Sequence, residues 1–576
     1  MIVSSDPGRN ASIMEVEFCL TLIAVVLAFA WPRLGSTTFR RVERAFGQLA
    51  RKKSLAVAAV GFTTILLRLA ILPSLPVPLP FTADDFSNLL AADTFASGRL
   101  TNPTPAMWIH FESIHITMQP TYMSMYFPAQ GLVLAAGRVL FGQPWFGVLI
   151  TSGLMCAAIC WMLQAWLPPG WALLGGALAI LRLGLFSYWV NTYTGAGLIT
   201  GLGGALVLGA LPRLVKTGRF RYGVLMAVGI VLLALTRPYE GLLLCLPVAI
   251  ALGRWMIFGK NRPSAAVLIR RASLPVALMV AAAAWMGYYD YRAFGSPLTL
   301  PYTVNRAAYA MAPYYVWQSA RPEPHYRHEV MRTFYYENEL KVFLKSHTWS
   351  RVVPTIFAKA LIALLFYAGI ALLPTLVMLR RALLDRRIRF LVLSALLMIA
   401  GVLIEVFMIP HYLACFTAVF YAIGLQSMRH LRIWRPNGKP VGAMLVRLAV
   451  TLCVVLAALK VFEGPLNLTP GEWPAANWSL MWYGPGHFGT KRAQMEARLE
   501  QPQGKQLVIV RYGPEHNPSN EWVYNAADIE NSKVIWAREM SAAENLDLIR
   551  YYKDRTVWLV QPDMDPPNVS PYSLPQ

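Results

Sequence analysis

The chain has 576 residues, of which 56% are hydrophobic and 14% charged, and its mean hydropathy is +0.44. A soluble globular protein carries roughly a quarter charged residues, so this composition excludes an ordinary soluble enzyme and implies an integral membrane protein. The formal net charge of +22 excludes nothing by itself, and its distribution decides what it means.

Apolar runs of about 20 residues, the length that crosses a bilayer, recur along the chain. Twelve are read, at 16–32, 54–72, 146–166, 171–190, 195–211, 222–236, 241–258, 272–289, 355–379, 390–409, 411–428 and 442–462. Asp6, Glu15 and Glu17 precede the first run, with only Arg9 as a side-chain cation. A secretory signal has a basic start, so this run is expected to stay as a helix with its N-terminus outside. The segments 33–53, 212–221, 254–271, 380–389 and 429–447 hold half of the 52 lysines and arginines, whereas 73–145 holds only Arg99 and Arg138. Cations collect in cytoplasmic loops. The excess charge is therefore a topology signal, and no nucleic-acid partner is expected.

Three long segments then face the extracytoplasmic side: 73–145, 290–354 and 463–576. Trp108, Trp145, Trp317, Trp473, Trp478 and Trp482 lie in them and suit the headgroup level. Pro128 to Phe141 is too short to span and reads as a juxtamembrane helix lying on the bilayer. All six cysteines fall within apolar runs, so no disulfide framework and no metal-spaced pair is present. From about Gly484 the tail reads as a small soluble domain. QLVIV (506–510), KVIWA (533–537) and TVWLV (556–560) have the look of buried strands. A helix starts at Ser541, with Glu544 completing a capping box. Strand–helix–strand implies that the last two strands form a parallel pair with a right-handed crossover. The fold class expected is an all-α polytopic membrane bundle of about 12 transmembrane helices, with a large first outer loop and a small C-terminal soluble α/β domain. Its parts are 1–72, 73–145, 146–462 and 463–576.

The first outer loop carries the sharpest motif. In LPFTADDFSNLLAADTFASGRLTNPTP, which begins at Leu79, Thr82 is placed to cap a helix. Asp85 then falls at the third helical position and closes a capping box. One carboxylate suffices for that, so Asp84 is the acid left for chemistry. Asn88 and Phe95 share its side of the helix, while Phe86, Leu90 and Asp93 face elsewhere. WIHFESIH (108–115) holds His110, Glu112 and His115. The two histidines are five apart and do not share a helical face as the zinc motif requires; they read as solvated loop or as substrate contacts. In LTRPYEGLLL (235–244), Arg237 either pairs with Glu240 or holds a phosphate, whose geometry a guanidinium matches. In IPHYLACF (409–416), His411 either assists a phosphate leaving group or caps a helix. Arg182 lies well inside its run and is expected to face the bundle interior. Arg68, Lys359, Glu405 and Lys460 sit nearer the ends, where snorkelling is open to them. Gly197 and Gly201 in GAGLITGLGG suit close helix packing. NAS, NLT, NWS and NVS match the glycosylation sequon without further context.

The opening ADDFSNLLAADTFASGRLTNP, followed by YFPAQGLVLAAGRVLFGQPWFG, resembles the first loop of polytopic glycosyltransferases of the GT-C class. It is most similar to the bacterial branch that includes protein O-mannosyltransferase-like enzymes and the lipid A aminoarabinose transferase. In that branch the loop carries an Asp-Glu pair, a helix, then Gly-Arg and a Pro. Asp84 matches the Asp, Asp85 stands in for the Glu, and Gly98-Arg99 matches the Gly-Arg. Tyr126-Phe127-Pro128 resembles a Pro-Pro element, and His411-Tyr412 an element that opens a late span. Many relatives carry a second acid in the next outer loop; NTYTGAG (191–197) has none, which counts against a two-carboxylate or metal-dependent mechanism.

The resemblance, which covers about 54–430 in layout, implies a multi-pass enzyme of the bacterial inner membrane with a periplasmic active site. It implies a polyprenyl-phosphate sugar donor, a lipid, glycan or protein acceptor, and an inverting displacement with neither cofactor nor metal. Asp84 and Asp85 are the implied catalytic pair. Arg237, His411 and Arg99 are implied for the donor phosphate, and His110, Glu112, His115, Tyr126, Tyr239, Glu240 and Tyr412 for substrate. Two rival readings stand beside it: a secondary transporter or lipid flippase, which twelve spans also suit, and a non-catalytic membrane scaffold. Carriers hold polar sites at the membrane midplane, often in repeated halves. Here the acids lie outside the apolar runs.

Overall fold

The computed structural model describes residues 12–259, 262–468, 479–486 and 488–573. Asp6, Arg9, Trp473 and Trp478 lie outside the described residues. The chain begins with α1 (Ile13–Ala30), α2 (Ser36–Arg51) and α3 (Lys53–Ala70). The segment 73–145 follows, with α4 (Ala83–Ala96), the short strands β1 (Asn102–Pro103), β2 (Ile116–Thr117) and β3 (Thr121–Ser124), and α5 (Pro128–Phe141). The bundle continues through α6 (Trp145–Trp166), α7 (Pro169–Ala179), α8 (Ala196–Thr217), α9 (Phe220–Ala234), α10 (Pro238–Phe258) and α11 (Ala265–Phe294). The second outer segment opens with α12 (Pro301–Tyr309).

Among the described residues, eight helices are long and apolar enough to cross a membrane. They are α1, α3, α6, α8, α10, α11 and the helices Trp349–Tyr367 and Val441–Val461. The other four expected spans are shorter or broken. α9 and Arg389–Leu403 have 15 residues each. The run from 411 begins as a 3-10 turn, Pro410–Phe416, before the helix Thr417–Arg432. α7 passes into a π-helical turn, Ile180–Gly184, and leaves helical geometry there. The reason is Arg182, which is 1% exposed and reaches Glu17 of α1 at 3.4 Å and the Ala368 carbonyl at 2.8 Å. A buried guanidinium requires such partners. The same contact stops the helix ending at Tyr367: Gly369 has φ of +61°, and a Cβ there would collide with the Arg182 guanidinium.

Several expectations are corrected. Segment 33–53, read as a loop, is largely α2, whose Phe39, Phe46 and Leu49 pack on the bundle while its arginines face outward; such an amphipathic helix suits a membrane interface. Arg68, Lys359 and Lys460 do not snorkel. All are buried, because each has local acceptors. Arg68 donates to Asn191 Oδ1, Leu75 O and Pro76 O, Lys359 to Val402 O at 3.0 Å, and Lys460 to Glu463 at 2.6 Å. Glu405 is buried as well. Trp145 and Trp482 are likewise buried, donating to Val190 O and Glu17. The close packing expected at Gly197 and Gly201 is present: a Cβ at either would press on Trp189 or Met155. The six cysteines are free.

The tail forms a four-stranded sheet of β4 (Lys505–Val510), β5 (Val534–Arg538), β6 (Arg555–Gln561) and β7 (Asn568–Pro571), in the order β5-β4-β6-β7. The helix Ala542–Tyr551 starts with the expected Ser541–Glu544 capping box. β5 and β6 are parallel but not neighbours, because β4 lies between them and pairs with both. β4 is the most apolar strand, and the central place buries both its faces. This sheet is not a separate body. Leu507, Ile535 and Tyr524 share one core with Phe86 and Leu90 of α4 and with Phe111 and Tyr122 of the first loop. Phe86 stacks on Tyr524 with ring centroids 4.3 Å apart. The tail therefore clamps α4, the helix that carries Asp84.

Candidate active site

α4 starts where the sequence placed it. The Thr82 hydroxyl accepts from the Asp85 amide at 3.1 Å, and Asp85 Oδ2 accepts from the Thr82 amide at 3.2 Å. Asp85 Oδ1 also accepts from the Tyr193 amide at 2.7 Å. Asp85 is fully buried and does not reach the cavity described below. Burial pushes its carboxyl up to about 6, against the lowering pull of those backbone donors. It ties α4 to the segment before α8, so the two neighbouring acids have parted roles.

Asp84 lines a cavity of about 370 Å³. Its Oδ1 accepts from Tyr126 Oη and lies 2.7 Å from His115 Nδ1, and the two donors are 3.0 Å from each other. Burial acts to raise the Asp84 carboxyl, but the His115 and Tyr126 interactions outweigh it and hold it below the ordinary range. His115 has φ of 63°, a left-handed conformation that non-glycine residues seldom adopt and that costs about 1–3 kcal/mol. Its carbonyl, which accepts from the Ser87 hydroxyl of α4 at 2.7 Å, fixes that turn. Asn88 lines the cavity one turn after Asp84, as helical spacing requires.

The opposite wall comes from two inter-helical turns. Arg237 immediately precedes α10, pairs with Glu240 at 2.5 Å and lies over the Tyr412 ring, 3.8 Å from its centroid. The expected pairing with Glu240 is present, and Arg237 still lines the cavity. His411 and Tyr412 also line it, with His411 Nδ1 at 2.8 Å from the Tyr188 hydroxyl. The 410–416 turn reaches this place because Gly204 lets α8 approach its backbone; a Cβ there would strike the Cys415 carbonyl.

The sequence motifs did not reveal the third wall. α12 and the segment after it supply Tyr302, Arg306, Tyr314, Phe334 and Glu339. Arg306 pairs with Glu339 at 2.9 Å and lies over the Tyr314 ring at 4.6 Å. Glu339 sits in a π-helical stretch, Thr333–Leu340, a geometry frequent at functional sites. The available signal was the density of tyrosines around an arginine in PYTVNRAAYAMAPYYVW. Gln130 and Thr194 also line the cavity. Beyond Met408, which lines both, lies an apolar cleft of about 410 Å³ between the helices Trp349–Tyr367, Arg389–Leu403 and Thr417–Arg432.

Other expected site residues lie elsewhere. Arg99 follows the far end of α4, roughly 20 Å along the helix from Asp84. His110 packs on the tail, its Nδ1 3.2 Å from Arg538 O. Glu112 is buried among Tyr309 at 3.0 Å, Arg327 at 3.4 Å and His328 at 3.6 Å, and burial raises its carboxyl. These two tie the first loop to the tail and to the second outer segment. Tyr239 donates to Gly401 O, and Glu240 serves Arg237; neither lines the cavity. Among the described residues, no group of three or more His, Cys, Asp and Glu side chains is placed to hold a metal ion.

The cavity has a definite place along the bundle. Thr194 precedes α8, while Thr236 and Arg237 stand between α9 and α10. The basic segments 212–221 and 254–271 lie at the other ends of these helices.

No protein-family model matches the chain, and no curated protein matches it. Among solved structures it is similar to the oligosaccharyltransferase of Archaeoglobus fulgidus in the apo form, at 12% identity and TM-score 0.42, over 80% of this chain and 62% of that one. The same archaeal protein tethered with an acceptor peptide containing the NVT sequon gives 11% and 0.43, over 87% and 69% of the two chains. Its complex with Zn and sulfate gives 11% and 0.44, over 88% and 67%. The chain spans about two thirds of the length of these proteins. At these scores the likeness assigns neither an activity nor a partner to this chain.

Proposed function

We propose that this chain is a membrane glycosyltransferase that moves a sugar from a polyprenyl-phosphate donor to an extracytoplasmic acceptor, with inversion at the anomeric carbon. The observation that carries the reading is one cavity holding Asp84, the Arg306-paired Glu339 and two fixed guanidinium groups, at the helix ends remote from the basic segments. Asp84 Oδ1 is occupied by His115 and Tyr126, which leaves Oδ2 to face substrate. That oxygen takes the proton of the acceptor hydroxyl while the hydroxyl oxygen bonds to the anomeric carbon. The bond from this carbon to the phosphate oxygen breaks, and its electron pair leaves with the lipid phosphate. Arg237 and Arg306 meet the charge developing on that oxygen; donors already fixed in place stabilise it without reorganising. His411 and Tyr412 line the same side. The sugar packs among Tyr126, Tyr302 and Tyr314, and the apolar cleft beyond Met408 takes the isoprenoid tail.

In this reading the protein lies in the inner membrane with its cavity on the periplasmic side, and the acceptor is a lipid, glycan or protein. The donor brings its own leaving group, so no nucleotide site is needed. Asp85 and Glu112 position the outer loops and touch no reacting atom. A carrier would hold its polar site near the midplane, whereas this charge cluster sits at helix ends.

The test is a transfer assay with a radiolabelled polyprenyl-phosphate sugar and an envelope acceptor fraction. The wild-type protein is expected to release polyprenyl phosphate and label the acceptor, and Asp84→Asn to bind donor without releasing it. Near-normal transfer by Asp84→Asn would sink the base assignment. Movement of intact donor across vesicles, with no polyprenyl phosphate released, would favour the carrier.

A further inference from the structure

A second charged cavity lies at the other end of the bundle. The Asp84 cavity includes Thr194 before α8 and Thr236 after α9. A crevice of about 690 Å³ opens between the last turns of α8, the first turns of α9, the start of α3 and the end of α6. From Thr194 to Arg213 is roughly 30 Å along α8, about the thickness of a bilayer core. The two cavities therefore face opposite leaflets.

Lys53, Arg213, Lys216 and Arg221 line this crevice, and no carboxylate does. Among the described residues none of the four enters an ion pair. Arg213 is nevertheless fixed: it donates to the Gly209 and Trp161 carbonyls at 2.7 Å each and lies over the Trp161 ring. Arg221 donates to the Tyr222 hydroxyl at 3.0 Å. The membrane-side wall is apolar, built from Val57, Ala58 and Leu225. Another basic cavity, near Arg429, is different, because Asp385 stands inside it against His430 at 3.1 Å.

Four cations around an apolar floor, with no acid among them, form a site that only an amphipathic anion complements. We propose that the crevice between α3, α6, α8 and α9 binds the phosphate headgroup of an anionic phospholipid from the leaflet opposite Asp84, with an acyl chain along its apolar wall. Basic pockets between membrane helices recognise such headgroups. Four cations exceed one phosphate, so a two-phosphate headgroup such as cardiolipin binds better than phosphatidylglycerol. The proposal does not depend on the transferase reading.

Native mass spectrometry of the full chain, released from micelles doped with cardiolipin, phosphatidylglycerol or phosphatidylcholine, tests it. The wild-type protein is expected to retain cardiolipin most and phosphatidylcholine least. A cation near an anionic headgroup is worth roughly fivefold in affinity, so Lys216→Gln/Arg221→Gln loses about 25-fold. Both side chains are exposed, so the melting temperature stays unchanged. Arg219→Gln/Arg270→Gln removes two exposed cations outside the crevice and is expected to change retention less than twofold. An equal loss in this control would show diffuse charge attraction and overturn the site. Full displacement of cardiolipin by millimolar glycerol phosphate would show a site for soluble phosphates and overturn the lipid assignment.

Discussion

The two ends of this bundle both gather arginines, but they treat the charge differently. In the Asp84 cavity each guanidinium has its own carboxylate: Arg237 has Glu240 and Arg306 has Glu339. In the inner crevice Lys53, Arg213, Lys216 and Arg221 have none. A paired and buried arginine is held in one geometry and offers its remaining donors to charge that appears briefly, as on a leaving phosphate. An unpaired set at a half-open crevice attracts a standing anion. The difference is one of preorganisation against capture, and it follows from where the acids lie in the chain, since 212–221 contains no Asp or Glu.

The largest effect that separates the two ends is catalytic. Asp84→Asn is expected to lower the transfer rate by about 10²–10⁴-fold, the usual worth of a general base, with insertion and melting temperature unchanged. Stability sharpens the comparison next. Arg306→Gln leaves the half-buried Glu339 without its partner and is expected to cost about 2 kcal/mol, read as a lower melting temperature in detergent. Lys216→Gln breaks no pair and stays within about 0.5 kcal/mol; an equal loss in both would erase the distinction drawn here.

A comparable effect is expected at Asp85. Its folded carboxyl titrates at about 6, above the ordinary 3.8, so the native state binds more protons than the unfolded chain between these values. Stability should then fall as pH rises from about 4 to 6, by up to about 3 kcal/mol. Asp85→Asn removes the titrating group and keeps an acceptor for only one of the Thr82 and Tyr193 amides, which bond to different carboxylate oxygens; it should be less stable throughout, and melting curves from pH 4 to 7 should lose that slope. The smallest effect concerns His115. In the proposed reaction activity needs the Asp84 carboxylate and is expected to be lost as pH falls through its depressed pKa. His115→Asn removes the leading lowering contact, so the acid limb of the rate profile should move to higher pH. An unmoved limb would detach His115 from Asp84.

The local expectations that held are those written in short-range chemistry. Thr82 and Asp85 close their capping box, and Ser541 and Glu544 theirs, because a cap needs only four residues in a row. Asp84, His115, Tyr126, Arg237, His411 and Tyr412 meet in one cavity, although they were chosen from five separate stretches. His110, Glu112 and Arg99 do not join them. WIHFESIH has no fixed helical period across it, and the left-handed turn at His115 sends that ring to Asp84 while His110 and Glu112 turn to the tail. Arg306 and Glu339 were not singled out, since a pair 33 residues apart has no sequence signature.

By itself the sequence determined the membrane-spanning character, the uneven placing of its cations and the start of the helix bearing Asp84. Composition, charge counts and caps act over a few residues and need no partner. Tertiary structure alone decided that Asp85 is buried while Asp84 faces a cavity, that Arg182 ends two helices, and that the tail sheet shares its core with the first loop. Burial and pairing depend on what the rest of the chain brings alongside, and periodicity does not encode that.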